Sequence, residues 1–154
     1  MNERPDLLDD ATFAAVIRSA PLICIDLIIR DPAGHVLLGL RRNEPARDFY
    51  FVPGGRIRKN ERLEQAFGRL IEAETGLQIP FTTAQFCGVY EHLYASNRFD
   101  EPGYGTHCVV LGYVLNLPSR PDVSLDGQHD DHVWMSVAEL KDSPRVHPNT
   151  KAYF

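Results

Sequence analysis

The chain predicts an α+β fold, and three observations predict it. Runs rich in β-branched residues come first, at Leu22–Ile29 and Val36–Leu40. One strongly amphipathic helix follows, in which Leu63, Ala66, Phe67, Leu70 and Ile71 recur at spacings of three and four. More strand-like runs and then short helical segments finish the chain, an order that segregates helices from strands. At 154 residues the expectation is a single domain, 1–154, long enough for a core without staples.

Taken in order, Asp10 caps a short helix carrying Phe13, Val16 and Ile17, and Pro21 stops it. Leu22–Ile29 is a strand interrupted by Asp26. Asp31-Pro32-Ala33-Gly34 is a turn, and Val36–Leu40 returns as the second strand of a hairpin. Asn43–Asp48 is a polar loop, Phe49–Val52 a short aromatic strand, and Gly54-Gly55 a tight turn into a helix over about Glu61–Thr75. Gln85–Leu93 and His107–Leu117 are strands joined by a polar, flexible loop, Ala95–Gly105. Val133–Met135 is a last short strand, and Ser136 with Glu139 forms a capping box for a short helix.

Composition is that of an ordinary soluble globular chain, 44% hydrophobic and 24% charged. No apolar run is long enough to cross a bilayer, and Met1–Ala20 lacks the apolar segment of a signal peptide, so a cytoplasmic protein without membrane partners is expected. Cys24, Cys87 and Cys108 are odd in number and far apart, which predicts buried free thiols. The net charge of −5 argues against nucleic acid as a partner. Yet Arg41, Arg42, Arg47, Arg56, Arg58, Lys59, Arg62 and Arg69 crowd one window holding only Glu44, Asp48, Glu61 and Glu64 as acids. A positive segment around a glycine turn suits a small phosphorylated ligand, since the arginine fork meets phosphate oxygens bidentately; a solvated basic face is the alternative.

Glu74 stands out on the helix, because at about 100° per residue it falls near the middle of the apolar stripe. A carboxylate there must be paired, protonated or bound to metal. The pattern around it is Gly55-x5-Glu61-x7-Arg69-x4-Glu74-x-Gly76-Leu77. This resembles the signature of the Nudix hydrolases, altered at Leu70 and Ala73, where the family pattern carries glutamates. The resemblance implies the Nudix fold, an α/β/α sandwich with a mixed sheet between helices. Fewer acids on the helix suggest one metal ion, magnesium by its preference for oxygen ligands and substrate phosphates, with manganese as a substitute.

Further segments resemble the GDP-mannose mannosyl hydrolase branch of the family: Arg18-Ser19-Ala20-Pro21-Leu22, Tyr50-Phe51-Val52-Pro53-Gly54-Gly55-Arg56, Thr106-His107, Val109-Val110-Leu111-Gly112, Gln128-His129-Asp130-Asp131, Trp134 and Lys151-Ala152-Tyr153-Phe154. That branch implies attack of water on the anomeric carbon of a GDP-sugar, release of GDP and inversion. By position, the resemblance gives the Gly54 carbonyl, Glu74 and Gln128 to the metal. Arg41, Arg56 and Arg69 go to the leaving diphosphate, with Arg69 also able to orient Glu74. Asp26 and His92 go to the nucleotide and sugar, and His129 is the general base, its imidazole being largely neutral at physiological pH. A homodimer is implied as well, and no helical tail is expected past Phe154.

Four alternatives stay open at this point. His129 is a base or part of a polar turn, and Asp26 a functional group or a structural acceptor. The whole chain is a carbon–oxygen hydrolase, an ordinary pyrophosphatase giving GMP and sugar 1-phosphate, or a non-catalytic nucleotide-sugar sensor. Mannose is the default sugar and glucose the second. Glu61 is expected to tighten the loop rather than bind metal, and His147 to lie on the surface.

Overall fold

A computed structural model describes residues 7–121 and 132–154. The elements are α1 (Asp10–Ser19), β1 (Leu22–Arg30), β2 (Val36–Leu40), β3 (Tyr50–Phe51), β4 (Gly54–Arg56), α2 (Leu63–Thr75), a 3₁₀ turn (Phe81–Thr83), β5 (Gln85–Tyr94), β6 (Thr106–Asn116), β7 (His132–Met135), α3 (Val137–Asp142) and α4 (Pro148–Lys151). The strands form one sheet in the order β3-β2-β1-β6-β5, with β4 on β1 and β7 on β2. It is mixed: β1 and β6 run parallel, pairing Leu22 with Cys108 through Arg30 with Asn116, and the other pairings are antiparallel.

The period-2 alternation of β1 builds the layers. Ile25, Leu27 and Ile29 face α2, where they pack with Ala66, Phe67, Leu70 and Ile71. Ile28 turns to the other face and packs with Leu38 and with Leu140 of α3, flanked by Tyr153 and Phe154. Each fully buried side chain of this size contributes about 2 kcal/mol, so the sheet is held from both sides. A mixed sheet between helices is the arrangement the resemblance implies.

Local chemistry moved several boundaries. The cap of α1 is Asp9, whose Oδ1 accepts from Thr12 N at 2.7 Å, and Asp10 is the first-turn acid beside it. Helix α2 begins two residues later than the pattern suggests, because Gln65 Oε1 accepts from Arg62 N at 2.8 Å and makes Arg62 the cap. It ends where expected: Gly76, at φ 71°, donates its N–H to Glu72 O. The glycine segment is not only a turn. Gly54–Arg56 pairs antiparallel with Cys24–Asp26, so the turn is a strand laid along β1. The segment 95–105 is likewise knit by its own hydrogen bonds around Asn97, 1% exposed, where a flexible loop was expected.

Candidate active site

Strand alternation and one backbone crossing assemble the site. On the face away from α2, β1 presents Cys24 and Asp26, β6 presents Cys108 and Val110, and β5 presents His92 and Tyr94. Gly54 of β4 sits opposite Asp26. The segment after β2 brings Arg41, Arg42 and Asn43, and the last turn of α2 brings Glu74. Together they enclose a cavity of about 340 Å³.

Asp26, Arg41, Gly54, Glu74 and His92, drawn from five separate parts of the chain, therefore meet in one place. Arg56 and Arg69 do not line this cavity. Arg69 gives Nε and Nη2 to the two carboxylate oxygens of Glu61, both at 2.8 Å, and Nη2 also to the Arg56 carbonyl at 2.9 Å. Its guanidinium is thus committed to the β4–α2 connection and orients Glu61, whereas the leaving diphosphate, and Glu74 besides, were the expected targets. The Arg56 guanidinium lies over the Phe13 ring, 5.0 Å from its centroid. Gln128 and His129 lie outside the described residues.

Asp26 is a strongly perturbed acid of the site. Burial lifts its carboxyl to about 6, opposed by the hydrogen bond that Tyr153 Oη donates to Oδ2 and by the Arg41 charge. His92, 5% exposed, is driven down to about 4 by burial and then by His147, so it is neutral at physiological pH. Burial also pushes the Tyr94 hydroxyl up to about 12. Arg41 lies 5.5 Å from the centroid of the Phe51 ring, and its buried Nε has no hydrogen-bond partner among the described residues. An orphaned guanidinium donor at a cavity wall is a place for an anionic oxygen. Cys24 and Cys108 hydrogen bond to each other, which raises the first and lowers the second. Cys87 is exposed, so burial of all three thiols does not hold.

The donor set fits a hard divalent cation. Glu74 supplies a carboxylate to the cavity wall, and Gly54 lies on the same wall. A Cβ at Gly54 would fall on the Ile25 carbonyl oxygen and Asp26 Oδ1, so only a glycine lets β4 lie this close to β1. The neighbouring Gly55 is fixed for another reason: a Cβ there would stand 2.6 Å from Leu70 Cδ2. Leu70, 5% exposed, is part of the core, and of the three signature positions 70, 73 and 74 only Glu74 reaches the cavity as an acid. Among the described residues no three His, Cys, Asp or Glu side chains are grouped to hold a metal by themselves.

Residues beyond the expected set also line the site: Arg42, Tyr94, Arg98 and His132. Tyr94 was within reach of pattern reasoning, being two residues past His92 on the same strand face. Tyr153 was not, because nothing local announces that a residue near the chain end reaches Asp26. His147, expected at the surface, caps α4 and stacks on Phe51 at 4.8 Å between centroids.

This architecture and site belong to a known class. The chain is a member of the NUDIX family, whose domain model matches residues 21–154. Nudix hydrolases generally act with a divalent metal such as magnesium. Among curated proteins it is similar to the low-salt glycan biosynthesis protein Agl8 of Haloferax volcanii, 36% identical over 123 residues, 79% of this chain and 75% of that protein. Among solved structures it resembles a MutT NUDIX hydrolase from Burkholderia pseudomallei, 26% identical, with a TM-score of 0.68 over 88% of this chain and 96% of the other. The NUDIX domain of Shewanella oneidensis NrtR, solved with ADP ribose, shares the fold at 19% identity, with a TM-score of 0.66 over 95% of each chain. No helix among the described residues is long and apolar enough to cross a membrane.

Proposed function

We propose that this protein hydrolyses a GDP-hexose at the anomeric carbon, releasing GDP and free sugar with inversion, GDP-mannose being the first candidate and GDP-glucose the second. The observation that carries this reading is the meeting of Asp26, Arg41, Gly54, Glu74 and His92 in one cavity. A glycan-related relative and a family member bound to ADP ribose favour a nucleotide sugar as substrate class.

In this reading Arg41 pairs its orphaned Nε with a diphosphate oxygen and stabilises charge as GDP departs. Glu74 and the Gly54 carbonyl, joined by Gln128, would hold one magnesium ion, whose charge would offset that of the diphosphate. Neutral His92 and the Tyr153-bound carboxylate of Asp26 orient the sugar and nucleotide by hydrogen bonds. His129 takes the proton from the attacking water. Burial of Leu70 in the core favours this chemistry over the pyrophosphatase alternative, which recruits more acids and more metal. Arg56 and Arg69 act at a distance, through the fold of β4 and α2. The single domain 1–154 works as a cytoplasmic homodimer, a setting that suits three free thiols.

Phosphorus NMR of GDP-mannose and GDP-glucose, each incubated with protein and magnesium, tests the proposal. GDP and free sugar are expected. GMP and sugar 1-phosphate would make it a pyrophosphatase and remove His129 as base; binding without turnover would make it a sensor.

A further inference from the structure

Two loops that contribute lining residues to the cavity, 41–48 and 95–105, are tied to each other. Ser96 Oγ donates to Glu44 Oε2 and Arg47 Nη2 to Asp100 Oδ2, both at 2.8 Å. Between the two ties sits Asn97. Its Nδ2 donates to the Glu101 and Tyr104 carbonyls at 2.8 and 2.9 Å, and its Oδ1 accepts from Phe99 N and Glu101 N at 3.1 and 3.2 Å. A buried amide with both donors and its acceptor satisfied fixes the backbone that carries its neighbour.

That neighbour is Arg98, which lines the cavity and forms no hydrogen bond or ion pair with another described residue. The acids of its own loop are spent elsewhere. Asp100 pairs with Arg47, and Glu101 Oε2 accepts from Tyr104 Oη at 2.9 Å. A guanidinium without a local acid, on a loop braced from both sides, is available to whatever enters the cavity. Arg41, with its orphaned Nε, lines the same space, so the entering group that the two guanidinium forks best satisfy is a multiply charged phosphate.

We infer that Arg98 is a ligand-binding residue of this site, meeting the phosphate oxygens of a nucleoside diphosphate from the Asn97-anchored loop. The inference rests on the proposal that the cavity takes a GDP-sugar. The contact is ionic and on the rim, so it adds to affinity and to its salt dependence.

Calorimetric titration of the full chain with GDP and magnesium, at two ionic strengths, tests it. Arg98→Ala should weaken GDP binding about tenfold and flatten the salt dependence, with an unchanged unfolding midpoint. Arg98→Lys should recover part of the loss, keeping the charge but not the fork. Binding by Arg98→Ala within about twofold of wild type, with the same salt dependence, overturns the inference and leaves the proposed reaction standing. If wild type binds GDP but cleaves neither sugar nucleotide, the reaction falls and the role of Arg98 stands. If wild type does not bind GDP, both fall.

Discussion

Replacing Glu61 by Gln removes a charge from the connection between β4 and α2 while keeping its shape. The carboxylate accepts from Arg58 N at 2.7 Å and from Arg69 Nε and Nη2 at 2.8 Å. The Arg69 hydrogen bonds are the main reason its carboxyl is held at about 2, against an ordinary 4.5. At about 1.4 kcal/mol per pH unit, that depression converts to roughly 3 kcal/mol of stability. Side-chain exposures of 14% for Glu61 and 26% for Arg69 admit some screening, which brings the expected loss to about 2 kcal/mol. The folded carboxyl is depressed, so this contribution is full above pH 4.5 and disappears as pH falls toward 2. Urea unfolding of wild type and Glu61→Gln from pH 7 down to pH 3.5 should therefore show a gap that narrows with acid. Both Glu61 oxygens are taken up by Arg58 and Arg69, so the gap should also be independent of added magnesium. A gap below about 0.5 kcal/mol at pH 7, or one that stays constant with pH, would refute the brace; a gap that grows with magnesium would make Glu61 a ligand.

Four other outcomes are expected. Glu74→Gln should abolish most turnover with little change in unfolding midpoint, and full activity in that variant would remove Glu74 from the metal site. For His129→Ala, kcat should fall by about 10² to 10⁴ with a similar KM, and an unchanged kcat rules it out as base. His92 is buried neutral, its folded pKa lying below its ordinary 6.5, so its contribution is complete above pH 6.5 and lost as pH falls through about 4. His92→Gln should accordingly flatten that part of the stability–pH curve by on the order of 2 kcal/mol, checked by urea unfolding. Gly55→Ala forces Leu70 aside and should cost about 1 to 3 kcal/mol of stability, read as a lowered urea midpoint.

Much of the fold was legible because its signals are local and periodic. The hairpin of β1 and β2 and the stripe and glycine stop of α2 needed no tertiary information. Strand β4 was hidden because two glycines carry no side-chain pattern, and only their pairing to Cys24–Asp26 reveals an extended segment. Within the site, Asp26 and Glu74 announced themselves as charges at apolar positions. Arg56 and Arg69 carried no such mark. Their charge and spacing were right for phosphate, and only the structure could report that Glu61 and Phe13 already engage them. The bond from Tyr153 to Asp26 spans 127 positions, a distance no window of sequence can bridge.

The packing of Leu70 beneath Gly55 bears on what this position can be exchanged for as well as on stability. Where the family pattern has an acid, this protein has turned the position into a structural prop, closed over by a glycine with no space to give. A single reversion to glutamate would bury a carboxylate among Ile25, Phe67 and Ile71, at a cost of several kcal/mol unless a second cation arrived with it. An acid at position 70 and the present core therefore exclude each other one mutation at a time. The interior packed around Leu70 thus limits which chemistry this helix can acquire by a single substitution.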